Sequence, residues 1–149
     1  MSSLVERIET DLRSAMKSKD QETLSTLRLL KSDIQYEMTK TGAKEVSDSD
    51  TETVIKKAVK KRQESIADLE KAGRTDEAEL EKRAIEKLRT YLPEELSEEA
   101  ISKEIDAVVS ANPDESNFGK LMGQVMGRLK GKNADGALVR TLLQKKIGN

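Results

Sequence analysis

Aliphatic side chains return every three or four residues along nearly the whole chain, and hardly any aromatic ring accompanies them. That period is the helical one, so each stripe marks one face of an amphipathic helix. A first stripe, Leu4, Val5, Ile8, Leu12, Ala15 and Met16, predicts a helix capped at Ser2 or Ser3 and ended by Ser18, Lys19 and Asp20. Asp20 can then cap a second helix that turns Leu24, Leu27, Leu30, Ile34 and Met38 inward and stops near Thr41 and Gly42. Ser47, Asp48, Ser49 and Asp50 are cap-type residues before a third helix with Ile55, Ala58, Val59, Ile66 and Leu69 on one face. Gly73 interrupts the pattern, and a fourth helix from Thr75 or Asp76 buries Ala78, Ala84, Ile85, Leu88 and Leu92. Aromatics make up 2% of the chain and charged residues 37%, which leaves a β-sandwich or barrel without the side chains it packs with. The three aromatic residues, Tyr36, Tyr91 and Phe118, fall on or beside apolar stripes and are assigned to the core in preference to base stacking. The segment from Gly42 to Ser49 is expected to be the most mobile part of this half.

Pro93 marks a boundary, because it pushes Leu92 out of the α region. Beyond it the charge changes sign: eight acids stand against Lys103 alone between Pro93 and Ser116. Ser97, followed by Glu98 and Glu99, is a strong N-cap for a fifth helix with Ile101, Ile105, Val108 and Val109 inward. Asn117 can cap a sixth helix (Phe118, Leu121, Met122, Val125, Leu129), and Asp135 a seventh (Leu138, Val139, Leu142, Leu143, Ile147). The expected architecture is all-α: about four helices in an N-terminal bundle, residues 1–92, and a small three-helix C-terminal domain, residues 93–149. Acids and bases are expected at opposite ends of that second domain.

The stretch from Asn117 to Ile147 is the candidate for function. It carries seven basic residues, Lys120, Arg128, Lys130, Lys132, Arg140, Lys145 and Lys146, and one acid, Asp135, on a chain of net charge −1. Gly119, Gly123 and Gly127 recur four apart inside its first helix, each costing about 1 kcal/mol relative to alanine. Two readings stand side by side: a neighbouring helix crosses closely at the glycines, or a phosphodiester backbone approaches a bare strip flanked by cations. On the third helix Lys56, Lys57, Lys60, Lys61 and Arg62 read either as a solvated face with Glu52–Lys56 and Lys60–Glu64 pairing or as a phosphate-contacting patch.

Other chemistries are disfavoured. The chain has no cysteine and no histidine, so it lacks a thiol nucleophile and the commonest general base and metal ligand. Lys130, Gly131, Lys132 and Asn133 lack the spacing of a phosphate-binding P-loop. No catalytic residue, metal or cofactor is expected. Scarce aromatics argue against single-strand recognition and for folded RNA read by its backbone. The N-terminus has acids where a signal peptide has an apolar run, and no window reaches 18 apolar residues, so a cytoplasmic protein with no membrane partner is expected.

Leu24–Ile34 (LSTLRLLKSDI), KKRQES at 60–65, AGR at 72–74 and YLP at 91–93, with FGKLMGQVMGRLKGK at 118–132 and ADGALVRTLL at 134–143, resemble the YqeY family over essentially the full length. These are free-standing relatives of the tail domain of GatB, a subunit of the tRNA-dependent amidotransferase. Gly119, Met122, Gly123, Gly131 and Lys132 match the tail motif. The turn, where Lys132, Asn133 and Ala134 separate Gly131 from Asp135, is a residue longer than in some relatives. The resemblance implies an all-helical, two-part protein and a tRNA-binding appendage. A carbon-nitrogen ligase label, with glutamine as amido-N-donor, would be inherited from GatB, whose catalytic domain is absent. The combined expectation is a non-catalytic tRNA-binding accessory module, with Lys120, Arg128, Lys130, Lys132 and Arg140 on phosphates and Lys60, Lys61 and Arg62 as a second patch. The alternative is a helical adaptor for an aminoacyl-tRNA synthetase or amidotransferase component, using the acidic surface of the fifth helix or an exposed apolar groove between the two domains.

Overall fold

The computed structural model describes residues 3–148. Seven helices account for the regular structure among them: α1 (Ser3–Ser18), α2 (Gln21–Thr41), α3 (Asp48–Lys71), α4 (Thr75–Arg89), α5 (Glu98–Ala111), α6 (Phe118–Arg128) and α7 (Gly136–Ile147). The all-α expectation holds. The chain divides into two compact units, residues 1–92 and 93–149.

Local chemistry sets most of the helix starts. Asp20, Ser47, Ser97, Asn117 and Asp135 each accept a backbone N–H of the following first turn, from Thr23, Asp50, Ala100, Lys120 and Ala137 respectively, satisfying donors that a helix N-terminus leaves orphaned. Helix α1 is different. Ser2 lies outside the described residues, and the acceptor for the Leu4 amide is Asp48, from the start of α3, at 3.0 Å. Ser3 Oγ donates to the other oxygen of the same carboxylate at 2.9 Å. A cap 44 residues away in sequence therefore ties the first helix to the third.

In the first unit α2 packs against α1, α3 and α4. Its stripe Leu24, Leu27, Leu30 and Ile34 meets Leu4, Ile8 and Leu12 from α1, Val54, Ile55 and Val59 from α3, and Ile85 and Leu88 from α4. The residues that α3 buries all lie in its first half, and its second half continues as a hairpin with α4. Gly73, at φ 75°, makes the reversal, and Arg62–Glu81 (3.1 Å) and Lys82–Glu70 (3.0 Å) bridge the two arms. Tyr91 is buried beyond the end of α4, donating its hydroxyl to Asp11 beneath the Arg7 guanidinium. Burial first, then the Asp11 carboxylate, hold its phenol well above the usual range, so it stays protonated.

Four expectations need correction. Met16 is exposed, because it follows the buried Ala15 and so points about 100° away from it. Tyr36 is 70% exposed: two positions past the buried Ile34 is about 200° of helix, which turns the ring away from the core stripe. The segment between α2 and α3 is anchored rather than loose, since Val46 is buried in the core. On α3, neither Glu52–Lys56 nor Lys60–Glu64 appears among the ion pairs of the described residues.

The second unit packs α5, α6 and α7 against one another around Ile101, Ile105, Val108, Leu121, Val125, Leu129, Val139 and Leu143. Gly131, at φ 82°, lies in the turn after α6 in the left-handed region that favours glycine. The remainder of that turn is held by Asn133. Its carbonyl accepts the Leu96 amide at 2.7 Å and its side-chain amide donates to the Pro93 carbonyl at 2.7 Å, giving a one-residue parallel bridge between Glu95 and Asn133.

Candidate nucleic-acid interface

The glycine strip lies on the open side of α6. At about 100° per residue, Gly119, Gly123 and Gly127 centre nearly opposite Leu121, Val125 and Leu129, which face the core. All three glycines are exposed. A Cβ built on Gly123 or Gly127 would meet no atom within 4 Å, and one on Gly119 would meet only the Asn117 side chain at 3.2 Å. Among the described residues no helix of this unit crosses there, so the close-packing reading of the strip fails within the unit. Lys120 sits beside the strip, exposed, and Lys130 follows the helix end, also exposed; neither has an ion-pair partner among the described residues.

The other expected contacts are less free. Arg128 donates through Nε to Glu104 Oε2 at 2.6 Å, and Lys132 Nζ stands 3.8 Å from the other oxygen. The Arg128 hydrogen bond, followed by the charges of both cations, holds the Glu104 carboxyl below its usual range. Lys146 pairs with Asp106 at 3.1 Å. Acids and bases of this unit are thus interleaved rather than gathered at opposite ends, because α5 packs directly on α6 and α7. Arg140 lies over the Phe118 ring, 5.5 Å from its centroid, a cation–π arrangement that leaves the charge at the surface. Gly131 shapes the turn that presents Lys130 and Lys132.

The second patch lies in the first unit. Lys60 and Lys61 are exposed, whereas Arg62 is partly buried and turned to Glu81 on α4, where it ties the helical hairpin. Residues that the sequence did not count among the contacts complete both surfaces. Glu104 and Asn133 control the basic turn, and Tyr36 stands exposed near the lysines of α3, with both Lys60 and Lys61 lining the groove that it borders. Helix arithmetic alone would have exposed Tyr36; no local signal marks Asn133.

Among the described residues no group of three or more acids could hold a metal ion, and no helix is long and apolar enough to cross a membrane.

Comparison with known proteins finds similar chains. A protein from Pyrenophora tritici-repentis named altered inheritance of mitochondria protein 41, mitochondrial, is 29% identical over 145 residues, covering 95% of this chain and 80% of its own length. An uncharacterised protein from Schizosaccharomyces pombe is 39% identical over 90 residues, 60% of this chain and 72% of its own. Neither name carries a reaction. The profile of the family described as Yqey-like protein matches residues 5–147, and the chain therefore belongs to the YqeY family.

Proposed function

We propose that the chain is a non-catalytic accessory module that binds tRNA, holding the folded RNA by its backbone on the solvent face of α6 and the turn that follows. One observation carries the reading. Three glycines that weaken α6 by about 1 kcal/mol each face solvent, and at two of them, Gly123 and Gly127, a Cβ would meet open space, so the fold makes no use of their small size there. Their use lies with something outside that comes close to the helix backbone. The charge around them favours an anion: Lys120 and Lys130 have no ion-pair partner among the described residues, Arg140 is at the surface, and Arg128 and Lys132 share the single carboxylate of Glu104. The resemblance to the GatB tail supplies tRNA as the anion. A cytoplasmic location belongs to the same proposal, and the mitochondrial name of the Pyrenophora protein makes cell fractionation its direct check.

Filter binding of tRNA at low and moderate salt tests the proposal. Affinity should fall steeply with salt, and replacing both Lys120 and Lys130 by Glu should weaken binding and flatten the salt slope by about one unit per lysine. No binding at low salt, or a double variant that binds as tightly as the parent, would sink it.

Met126, a large apolar side chain exposed beside the same strip, favours a second reading. There a helix of a partner, such as a synthetase or amidotransferase component, lies along the glycines. A stoichiometric protein recovered with the chain after nuclease treatment, and lost on Gly123→Leu, would favour it over RNA.

A further inference from the structure

Between α2 and α3 runs an open groove of about 440 Å³, within the roughly 300–1,000 Å³ that small-molecule sites occupy. Its two walls differ in chemistry. The α3 wall presents Lys57, Lys60 and Lys61, and the α2 wall presents Tyr36 with Asp33 and Glu37. Each wall also carries one charge of the other sign, Lys40 and Glu64. None of these lysines is within 4 Å of a carboxylate among the described residues. Opposite charges that line one groove without closing on each other leave room for a third body.

Tyr36 sharpens what that body is. It is the one tyrosine whose ring stands in solvent, since Tyr91 is sealed in the core. An exposed aromatic face costs hydration unless something stacks on it, and a nucleobase stacks on such a ring whatever its identity. Carboxylates accept hydrogen bonds from exocyclic amino groups of bases, cytosine N4 above all, while lysines take phosphates as point charges. A wall with a ring and acids facing a wall of lysines therefore matches the two halves of a nucleotide. It matches neither an anionic membrane, which the acids would repel, nor a duplex, whose bases are already stacked.

We propose that this groove holds an unpaired stretch of RNA, a base against Tyr36 and the backbone along Lys57, Lys60 and Lys61. The proposal rests on the RNA reading above and adds a second contact, to single-stranded nucleotides, on the first unit.

Tyrosine emission reads it directly, because the part of the signal lost in Tyr36→Phe belongs to Tyr36. The full-length chain is titrated with a single-stranded oligoribonucleotide and, separately, with a blunt duplex of the same composition, binding of each being followed by mobility shift. The expected result is quenching of the Tyr36 signal by the single strand and not by the duplex. Tyr36→Phe should retain single-strand affinity, whereas Tyr36→Ser should weaken it by about tenfold, and Lys57, Lys60 and Lys61 changed together to Ser should abolish the quench. RNA that binds with Tyr36 emission unchanged overturns the groove while leaving the tip on α6 standing. Equal quenching by the duplex overturns the preference for unpaired bases. No binding of the single strand while tRNA is still retained in the filter assay overturns the groove alone, and loss of tRNA binding as well overturns both.

Discussion

Gly123 weakens the helix that carries it and returns nothing to the fold. A methyl group there meets open space, so Gly123→Ala, or the same change at Gly127, should raise stability by about 0.5–1 kcal/mol through helix propensity and a less free unfolded chain. A shift of the urea midpoint to higher concentration checks this. The same substitution should weaken tRNA binding, because the Cβ stands where a backbone would approach, and Gly123→Leu should weaken it further while remaining folded. A stability gain with no loss of affinity would mean the strip is not a contact surface. Glu104 makes the opposite prediction. Glu104→Gln removes the countercharge from Arg128 and Lys132, so tRNA affinity at low salt should rise a few-fold.

The pH dependence of Glu104 follows from its depressed pKa. The contribution of the pair to stability is fully present above the ordinary glutamate range and is lost as pH falls through the lowered value. In Glu104→Gln that acid-side loss should shrink, measured as the difference in urea midpoint between neutral and acidic buffer.

At the scale of elements, the helices were legible because two local signals agreed. The period of three and four fixed which face turns inward, and Asp20, Ser47, Ser97, Asn117 and Asp135 fixed where five helices begin. What stayed hidden was of a different physical kind. Which charge meets which is decided by packing, so the Arg62–Glu81 and Arg128–Glu104 pairs cannot be read from the order of charges along the chain. The capping of α1 by Asp48 needs a neighbour in space, and so does the bridge made by Asn133. The site residues were named by charge, and charge says nothing of whether a side chain is free. Asn133→Ala should loosen the turn between α6 and α7, and the Leu96 amide, which donates to the Asn133 carbonyl, should exchange its hydrogen faster. Unchanged protection at Leu96 would show that the backbone alone holds the turn.

For the whole molecule, the presence of two separate cores makes folding a local property. Ile55, fully buried where α3 enters the first core, should cost about 2–5 kcal/mol when changed to Ala, seen as a lower urea midpoint for the helical signal of the first unit. A fragment of residues 93–149 carries its own apolar core, and chains of about 55–65 residues often fold alone. It should therefore show helical circular dichroism and a cooperative thermal transition. A disordered fragment would refute its independence.

The tether at Asn133 does more than steady a turn. By joining the strand-like lead into α5 to the last reversal of the chain, it fastens the first and final thirds of the second unit into a closed loop. Closure of that sort meters length: one residue added or removed between Gly131 and Asp135 would carry Asn133 out of register, and the lysines on either side would swing free of the frame that aims them.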